Sequence, residues 1–475
     1  MLAQLGLVPL PGLPPALTGL TSDSRAVQPG MLYAALPGAR ADGRSFIADA
    51  VANGAAVVLA PLGTEWPEGV PPRPLLLDAE PRRVLARLAA LHAGPQPGCV
   101  VAITGTNGKT STAEFLRQIM QASGTEAASL GTLGLVTRTN AGSPGLTTPD
   151  PVALSETLAT LARDGVRAVA LEASSHGLAQ FRLDGVRLAA AGFSNLTRDH
   201  LDYHGTLPAY RAAKLRLFEA LLPPGAPAVA STALDAETRD ALRAIAVRRG
   251  LALHHVGDGG GLIRLLSAVP RPGGQDLTVE ADGLRRTVPL PLPGRFQADN
   301  ALLAAGLAMV VGVRDALDRL ALLHGVRGRM ELAATLPNGA AVYVDYAHTP
   351  DALDRLLQAL RPHTAGRLHL VFGAGGDRDG GKRPLMGAAA RAADVAIVTD
   401  DNPRSEDPAA IRRAILAALP GGRDIGNRAA AIAAAMNALA PGDVLVVAGK
   451  GHEQGQTVGS TVLPFDDAAT VRGLL

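Results

Sequence analysis

The sequence predicts an α/β protein with a small N-terminal α/β domain, a central P-loop-type domain with a mostly parallel sheet and helices, and a C-terminal Rossmann-like α/β domain. Its length of 475 residues is enough for about two to four domains. Short apolar runs alternate with helical segments, a pattern typical of parallel sheets. Breaker residues at 94–98 mark a linker. We therefore place the domains at residues 1–97, 98–327 and 328–475.

Composition narrows the class of protein. The formal net charge is only +2, which gives no reason to expect a nucleic-acid partner or a membrane surface. The single cysteine, Cys99, excludes an internal disulfide framework and fits a reducing cytoplasm. The N-terminus lacks the basic start of a signal peptide, and no run of about 18 apolar residues indicates a membrane span. We expect a cytoplasmic monomer that acts on small-molecule substrates.

The N-terminal region alternates strands and helices. Apolar runs predict strands at Met31–Leu36 and Ala55–Ala60. Helical patterns cover Ala48–Asn53 and Pro81–His92.

The central region opens with a buried-strand pattern at Cys99–Thr104, followed by a glycine turn and a helix from about Thr110 to Ala122. Further strands are predicted at Ala168–Glu172 and Leu188–Phe193. This alternation favours a mostly parallel sheet.

The C-terminal region repeats this organisation. Strands are predicted at Val342–Asp345, Leu368–Phe372, Val395–Thr399 and Val444–Val447, with helical segments between them. The order resembles a nucleotide-binding α/β layout.

The glycine turn Gly105–Thr110 is a candidate phosphate loop, because it joins a strand to a helix. Glycines let backbone N–H groups approach phosphate oxygens, and the helix N-terminus adds partial positive charge. Lys109 can reach the β- and γ-phosphates, and Thr110 can ligate Mg²⁺. The usual motif has a further glycine at the position of Ile103. The alternative is a plain turn that carries Gly-Lys-Thr by chance.

Polar residues follow two central strands and are candidate metal ligands. Glu172 ends one strand, and residues 195–204 bring two histidines and two aspartates together after another. Ligands bind at such strand ends in open α/β sheets, although Mg²⁺ prefers oxygen to His. The alternative for each residue is a surface polar group. Lys214 lies on a predicted helix, and its spacing alone indicates a solvated lysine.

Four polar loops end strands of the C-terminal region, at 345–348, 373–378, 400–404 and 449–453. Arg404 is suited to hold a carboxylate through two hydrogen bonds. Each loop taken alone also fits a tight turn or a helix-entry loop with a surface arginine. Several such loops at the strand ends of one domain favour a site.

Together these residues resemble the Mur ligases, and within them the UDP-N-acetylmuramoyl-tripeptide synthetases. The resemblance covers nearly the whole chain. The motifs that carry it are Thr21–Arg25, Thr104–Thr110, Thr147–Asp150, Glu172–His176, Gly294–Phe296, Asp299–Ala301, Gly328–Glu331, Asp345–His348 and Asp401–Arg404. The shortened phosphate loop agrees with this family's own form.

The resemblance implies a role for each matched position. The catalytic residues would be Lys109, His200 and Lys214, the last carbamylated by CO₂ to give an anionic ligand. The Mg²⁺ ligands would be Thr110, Glu172 and His200. ATP would be bound by Gly105, Thr106, Asn107, Gly108, Lys109, Thr110, Ser111, Asn300, Arg329, Asp345 and His348.

The same resemblance assigns the two other substrates. The N-terminal domain would bind the UDP end, and the UDP-muramoyl-dipeptide would contact Ser24, Thr147, Thr148, Ser174, Gln180 and Arg182. The amino acid would contact Arg378, Asp401, Asn402, Pro403, Arg404, Gly449 and Glu453. One position departs from the family: Arg44 stands where relatives usually carry His.

The implied activity is ATP-dependent amide-bond formation in peptidoglycan synthesis. The third amino acid, meso-2,6-diaminopimelate, would be added to UDP-N-acetylmuramoyl-L-Ala-D-Glu through an acyl phosphate, with Mg²⁺ as cofactor. L-Ornithine and L-lysine remain alternatives, because a single arginine does not decide the choice. Two other readings are a ligase like folylpolyglutamate synthetase, which lacks such an N-terminal domain, and a P-loop ATPase that is not a ligase.

Overall fold

The structure, a computed structural model, describes residues 16–38, 41–140, 142 and 145–475. It forms two compact units: one holds the chain up to Val256 together with Leu303–Ala316, and the other holds Gly257–Leu302 and Leu317–Leu475. The first 15 residues of the predicted N-terminal domain lie outside the described residues. The predicted boundaries at 97/98 and 327/328 stay predictions.

A four-stranded parallel sheet lies at the start of the first unit, in the order β1-β2-β3-β4. Separate apolar clusters cover its two faces. Its elements are β1 (Leu20–Thr21), β2 (Leu32–Ala34), α1 (Ile47–Ala52), β3 (Val57–Pro61), β4 (Leu75–Asp78) and α2 (Pro81–Ala93), with short 3₁₀ turns at Ser24–Ala26 and Gly43–Phe46.

The rest of the first unit is built on a larger, mostly parallel sheet. Its strands are β5 (Cys99–Thr104), β6 (Ala127–Gly131), β7 (Gly134–Val136), β8 (Ala168–Glu172), β9 (Ala190–Phe193), β10 (Pro227–Ser231) and β11 (Ala252–Asp258), of which the residues up to Val256 belong to this unit. Its helices are α3 (Lys109–Ala122), α4 (Pro151–Arg163), α5 (Ser175–Ala179), α6 (Leu201–His204), α7 (Leu207–Arg216) and α8 (Ala236–Arg249). The strand order within this unit is β11-β10-β9-β5-β8-β6-β7.

Strand β5 lies between β8 and β9, and this register positions the candidate site. All three strands are parallel, with Ile103 opposite Glu172 and Thr104 opposite Phe193. The glycine turn after β5 therefore lies at the same sheet edge as Glu172 and the segment after β9. Parallel strands place their carboxyl ends together, so the predicted clustering of these loops follows from the fold.

The second unit begins with a three-stranded antiparallel meander. It consists of β12 (Ile263–Arg271), β13 (Gly274–Ala281) and β14 (Leu284–Leu290), and α9 (Arg295–Val310) follows, of which the residues up to Leu302 belong to this unit. Burial alternates along β13, as expected for an antiparallel strand with one covered face. The sequence patterns had not predicted these strands.

A six-stranded sheet in the order β15-β16-β20-β17-β18-β19 forms the core of the second unit. Only the β15–β16 pair is antiparallel. The strands and helices of this part of the unit are β15 (Glu331–Thr335), β16 (Ala341–Asp345), α10 (Pro350–Leu360), β17 (Leu368–Phe372), α11 (Lys382–Ala389), β18 (Val395–Val398), α12 (Pro408–Leu416), β19 (Arg423–Asp424), α13 (Arg428–Asn437), β20 (Val444–Ala448) and α14 (Asp467–Gly473), and a separate hairpin is formed by β21 (Gly455–Val458) and β22 (Thr461–Pro464).

The carboxyl ends of β16, β20, β17 and β18 share one edge of this sheet. Asp345 is opposite Ala448, and Phe372 is opposite Val398. Beneath this edge, Arg428 of α13 pairs with Asp467 of α14 through two 2.7 Å contacts, and both side chains are fully buried. Arg428 also donates to the carbonyl of Ala448 at the end of β20. The pair ties both helices to the strand that carries the 449–453 loop.

The predicted α/β class with parallel sheets is confirmed. No helix among the described residues is long and apolar enough to cross a membrane.

Candidate functional site

The glycine turn after β5 has the backbone shape of a phosphate-binding loop. Gly108 has a left-handed φ of 82° and precedes α3, whose first residue is Lys109. A side chain at Gly105 would overlap the Ser194 hydroxyl. The N-terminal N–H groups of α3 and its partial positive charge therefore lie at the turn, where an anion can bind.

Segment 194–197 after β9 holds this loop in place. Thr106 N donates to Asn195 O at 2.8 Å, and Asn107 N donates to Asn195 Oδ1 at 2.9 Å. The Ser194 hydroxyl donates to Asn107 O at 2.6 Å, and Thr197 N donates to the Thr106 hydroxyl at 3.0 Å. The sequence analysis placed Asn195 in the polar segment 195–204 but gave it no role at this loop, and it missed Ser194; their position directly after a strand was the available signal.

Lys109 folds its side chain back over the loop. Its Nζ donates to the carbonyls of Gly105 and Thr106, each at 2.9 Å. The ammonium is therefore held at the turn where phosphates are expected.

Glu172 ends β8 as a buried carboxylate, with only 2% of its surface exposed. Oε1 accepts from Thr132 N at 2.8 Å, and Oε2 accepts from the Thr132 hydroxyl at 3.2 Å. The Thr132 hydroxyl also lies 3.1 Å from that of Thr147. Thr132 therefore contacts both Thr147 and the predicted metal ligand Glu172.

The predicted Mg²⁺ ligands fit a site that the substrate completes. Among the described residues, no group of three or more His, Cys, Asp or Glu side chains is spaced to hold a metal ion. A buried carboxylate at Glu172 and a hydroxyl at Thr110, on the first turn of α3, are nevertheless the oxygen donors that Mg²⁺ prefers. Mg²⁺ in nucleotide sites commonly uses one or two carboxylates together with phosphate oxygens.

His200 lies at the entrance to α6 in a strained backbone conformation. Its φ is 50°, which is uncommon for a residue other than glycine. Its Nε2 is 3.6 Å from Asp199 Oδ2. The ring centroids of His176 and His200 are 4.9 Å apart. The pKa values of His176 and His204 are lowered, mainly because both rings are partly buried. The imidazole cluster around His200 was not predicted.

Lys214 is buried, with 1% of its surface exposed, so the spacing-based reading of a solvated lysine was wrong. Its Nζ donates to Gly105 O at 2.7 Å and lies 4.4 Å from the centre of the Tyr210 ring. Burial, together with the nearby charge of Lys109, lowers the pKa of Lys214 to about 6. Helix α7 therefore delivers a largely neutral amine to the base of the phosphate loop at neutral pH.

Four of the residues predicted to hold the dipeptide form one hydrogen-bonded group. The Thr148 hydroxyl donates to Glu172 O at 2.8 Å and lies 2.9 Å from that of Ser174. Arg182 donates to Thr148 O at 2.6 Å and to Gln180 Oε1 at 2.7 Å. These contacts connect the group directly to the end of β8.

The N-terminal sheet carries Ser24 on a short 3₁₀ turn, where it is buried and Asn53 donates to its carbonyl at 3.0 Å. Arg44, the departure from the family pattern, lies on the second such turn. Its guanidinium pairs with Asp42 and lowers the pKa of that carboxyl. Arg44 therefore has a local partner within its own turn.

The second unit brings together three of the four remaining ATP-side residues. Asp345 is held by the backbone N–H groups of Met330 at 2.7 Å and Ala347 at 2.8 Å, while burial raises its pKa. The Arg329 guanidinium lies 4.7 Å from the centre of the Tyr346 ring, and His348 Nδ1 is 2.9 Å from Tyr346 O. Asn300 lies on α9, where its amide donates to Gln297 at 3.4 Å.

Arg404 is fixed by loops on both sides. Its φ is 50°, its N–H donates to Thr457 O at 3.1 Å, and its carbonyl accepts from Gly459 N at 2.7 Å. Nη1 donates to Gly376 O at 2.7 Å. Within the described part of the chain, neither Arg404 nor Arg378 has a carboxylate at ion-pair distance. A strained, anchored arginine with no carboxylate at ion-pair distance among the described residues is suited to bind an external carboxylate.

Asn402 and Glu453 lie beside this arginine and bond to each other. Asn402 Nδ2 donates to Glu453 Oε2 at 3.0 Å. Gly449, with φ of 119°, approaches Asp401 so closely that a side chain there would contact the Asp401 carboxylate. Pro403 packs its carbonyl against Gly376 in the same way. The structure thus groups the residues predicted to bind the amino acid, and the exposed Arg378 lies against Gly375 next to Arg404.

Three family models match the chain. They are Mur ligase family, catalytic domain, over residues 16–92; Mur ligase middle domain, over residues 103–308; and Mur ligase, glutamate ligase domain, over residues 328–451.

Relatives match over nearly the full length. A Caulobacter vibrioides protein named UDP-N-acetylmuramoyl-L-alanyl-D-glutamate--2,6-diaminopimelate ligase is 56% identical over 464 residues, or 96% of this chain and 94% of that protein. A protein of the same name from Bradyrhizobium diazoefficiens is 52% identical over 97% of this chain and 95% of that protein. A solved structure of such a ligase is 33% identical, with a TM-score of 0.74, and covers 96% of this chain and 94% of the other.

Proposed function

The chain belongs to the Mur ligase family, and we propose that it is the ATP-dependent ligase that joins meso-2,6-diaminopimelate to UDP-N-acetylmuramoyl-L-alanyl-D-glutamate in peptidoglycan synthesis. Both relatives above carry this activity in their names. The observation that carries the choice of amino acid is Arg404, an anchored arginine near Asn402 with no carboxylate at ion-pair distance among the described residues. We also propose that it acts as a monomer in the cytoplasm, where its nucleotide-linked substrate is made.

The first step we propose is transfer of the γ-phosphate of ATP to the terminal glutamate carboxylate. An oxygen of that carboxylate attacks the γ-phosphorus, ADP leaves, and an acyl phosphate forms. Gly105 and Gly108 shape the loop, while the N–H groups of α3 and the Lys109 ammonium neutralise charge on the phosphoryl oxygens. Catalysis rests on positioning and charge, because phosphoryl transfer leaves little other chemistry to the protein.

Thr110, Glu172 and His200 would hold Mg²⁺ against the phosphates. When bound, the ion supplies positive charge to the phosphoryl oxygens and orients them. The hydrogen bonds from Thr132 fix the direction of the Glu172 carboxylate. The backbone φ of 50° at His200 sets the direction in which its side chain leaves the chain.

The second step is attack of the free amine of the amino acid on the acyl carbon. A C–N bond forms, inorganic phosphate leaves with the former carboxylate oxygen, and the nitrogen loses a proton. Thr148, Ser174 and Arg182 are proposed to hold the muramoyl-dipeptide at the end of β8, so that its carboxylate meets the phosphate loop.

Carbamylation of Lys214 is the modification we propose. The neutral amine attacks CO₂, a proton is released, and an anionic carbamate with two oxygens replaces the amine. Supporting observations are the burial of Lys214 and its pKa of about 6, which leave the amine unprotonated at neutral pH. A carbamate is an oxygen ligand suited to Mg²⁺.

In the amino-acid pocket, we propose that Arg404 holds the far carboxylate of diaminopimelate and that Glu453 holds the far ammonium. Glu453 Oε1 has no hydrogen-bond partner among the described residues, whereas Oε2 is occupied by Asn402. L-Lysine and L-ornithine lack the far carboxylate, so they would leave Arg404 without a partner.

Replacing Arg404 by alanine is expected to raise the KM for diaminopimelate by about 10- to 100-fold, since a charge-assisted pair to the substrate is lost. The KM for ATP is expected to stay within about twofold. Steady-state phosphate release checks both, with Arg413→Ala, an exposed arginine on α12, as the matched control. An unchanged KM for diaminopimelate in Arg404→Ala would remove the basis for this choice of amino acid.

A further inference from the structure

The chain contains only four lysines among its 45 basic residues; the other 41 are arginines. The lysines are Lys109, Lys214, Lys382 and Lys450. Two of them, Lys109 and Lys214, lie at the phosphate loop. A lysine carries a compact ammonium, which the larger planar guanidinium of arginine does not replace in a confined site.

Lys450 is the lysine whose surroundings most clearly require it. It follows β20, and none of its surface is exposed. Its Nζ donates to Asn402 Oδ1 at 2.9 Å, lies 3.4 Å from Glu453 Oε2, and is 4.0 Å from Asp401 Oδ1. Burying an unpaired ammonium costs several kcal/mol, so these oxygens are needed to keep the charge there.

The contacts of Lys450 fix the direction of the neighbouring amide. Two donors, Lys450 Nζ and Thr457 N, each 2.9 Å away, meet the same Asn402 atom, which is therefore the amide oxygen. The amide nitrogen is then directed to Glu453 Oε2 at 3.0 Å. Glu453 Oε2 receives both Asn402 and Lys450, which leaves Oε1 as the oxygen available to a ligand.

We propose that Lys450 is a positioning residue for the amino acid. It locks the Asn402 amide and turns Glu453 Oε1 toward the far ammonium of the diamino acid. Being fully buried, it acts through those two residues without touching the substrate. This inference rests on the proposed function, since it assumes that Asn402 and Glu453 line the amino-acid pocket.

The Lys450→Met variant, which keeps much of the side-chain volume, tests the role of the charge. The KM for diaminopimelate is expected to rise by about tenfold, since charged hydrogen bonds that hold Glu453 are lost. The kcat and the KM values for ATP and for the UDP-muramoyl-dipeptide are expected to stay within about threefold. A purely structural role would change all these constants together or none of them.

The matched control is Asp443→Asn. Asp443 lies just before β20, at the opposite end of the strand from Lys450, and its buried carboxylate is 3.1 Å from His369 Nε2. This variant is expected to lower the thermal unfolding midpoint without changing the KM for diaminopimelate. It separates a loss of stability from a loss of positioning.

A double-mutant cycle with Glu453→Gln keeps the test decisive if Lys450→Met folds poorly. The Glu453 side chain is partly exposed, so its substitution is expected to be tolerated by the fold. If Lys450 acts through Glu453, adding Lys450→Met to Glu453→Gln is expected to raise the KM by less than about threefold, against about tenfold alone. Equal effects in both backgrounds, or no effect of Lys450→Met in a folded protein, would overturn the proposal. Failure of the wild-type enzyme to ligate diaminopimelate would instead refute the proposed function.

Discussion

The variant Lys109→Ala is expected to abolish measurable product formation, a fall in kcat of about 10³-fold or more. The physical reason is loss of the ammonium that Lys109 holds at the Gly105 and Thr106 carbonyls, where the phosphoryl oxygens are proposed to lie. Without it, charge on the transferred phosphoryl group is neutralised only by N–H groups and Mg²⁺.

The fold is expected to survive this substitution, because Lys109 lies at the first turn of α3 and its side chain is only partly buried. Thermal unfolding and circular dichroism check the fold, and phosphate release checks the activity. Arg243→Ala on α8, with a side chain 67% exposed, is the control and is expected to retain full activity. Near-normal turnover by a folded Lys109→Ala enzyme would refute the assignment of the phosphate loop.

The second large effect is expected at Lys214. Both Lys214→Met and Lys214→Arg are expected to lower kcat by about 10²–10³-fold, by comparison with the loss of one charge-stabilising group elsewhere. The arginine variant is the informative control, because it keeps a positive charge but cannot form the carbamate. If the role of Lys214 were only that of a cation, Lys214→Arg would keep most of the activity.

The pH dependence follows from the lowered pKa of Lys214. Below about pH 6 the amine is an ammonium and does not react with CO₂; above it, the neutral amine predominates. Enzyme stripped of CO₂ is therefore expected to regain activity on adding bicarbonate at pH 8, and much less at pH 5.5. A ¹³C carbamate signal from labelled bicarbonate, present in wild type and absent in Lys214→Met, would report the modification. Full activity of wild type without CO₂ would contradict it.

Runs of apolar residues were sufficient to predict the buried central strands of the fold. Strands β5 and β8 begin and end where the apolar runs Cys99–Thr104 and Ala168–Glu172 do. Both are buried central strands, which read as continuous apolar segments. The meander β12–β14 was missed, since its strands are half exposed and carry alternating polar residues and a proline.

Local sequence also predicted some of the site residues, whereas others depend on contacts between distant parts of the chain. Gly108, Glu172 and Arg404 follow strands or turns, so chain position alone placed them at the sheet edge. The burial of Lys214 was not predictable, because its partner Gly105 is 109 residues away and only the packing of α7 brings them together. Lys450 was missed for the same reason: its contact with Asn402 spans 48 residues.

The most direct test of the proposed activity is the initial rate of phosphate release from ATP with UDP-N-acetylmuramoyl-L-alanyl-D-glutamate and meso-diaminopimelate, L-lysine or L-ornithine in parallel. Release is expected only when the nucleotide-linked dipeptide and an amino acid are both present, with kcat/KM at least about tenfold higher for diaminopimelate, because only it supplies the carboxylate for Arg404. Phosphate release without the dipeptide, or equal or faster release with lysine or ornithine, would contradict the proposed function.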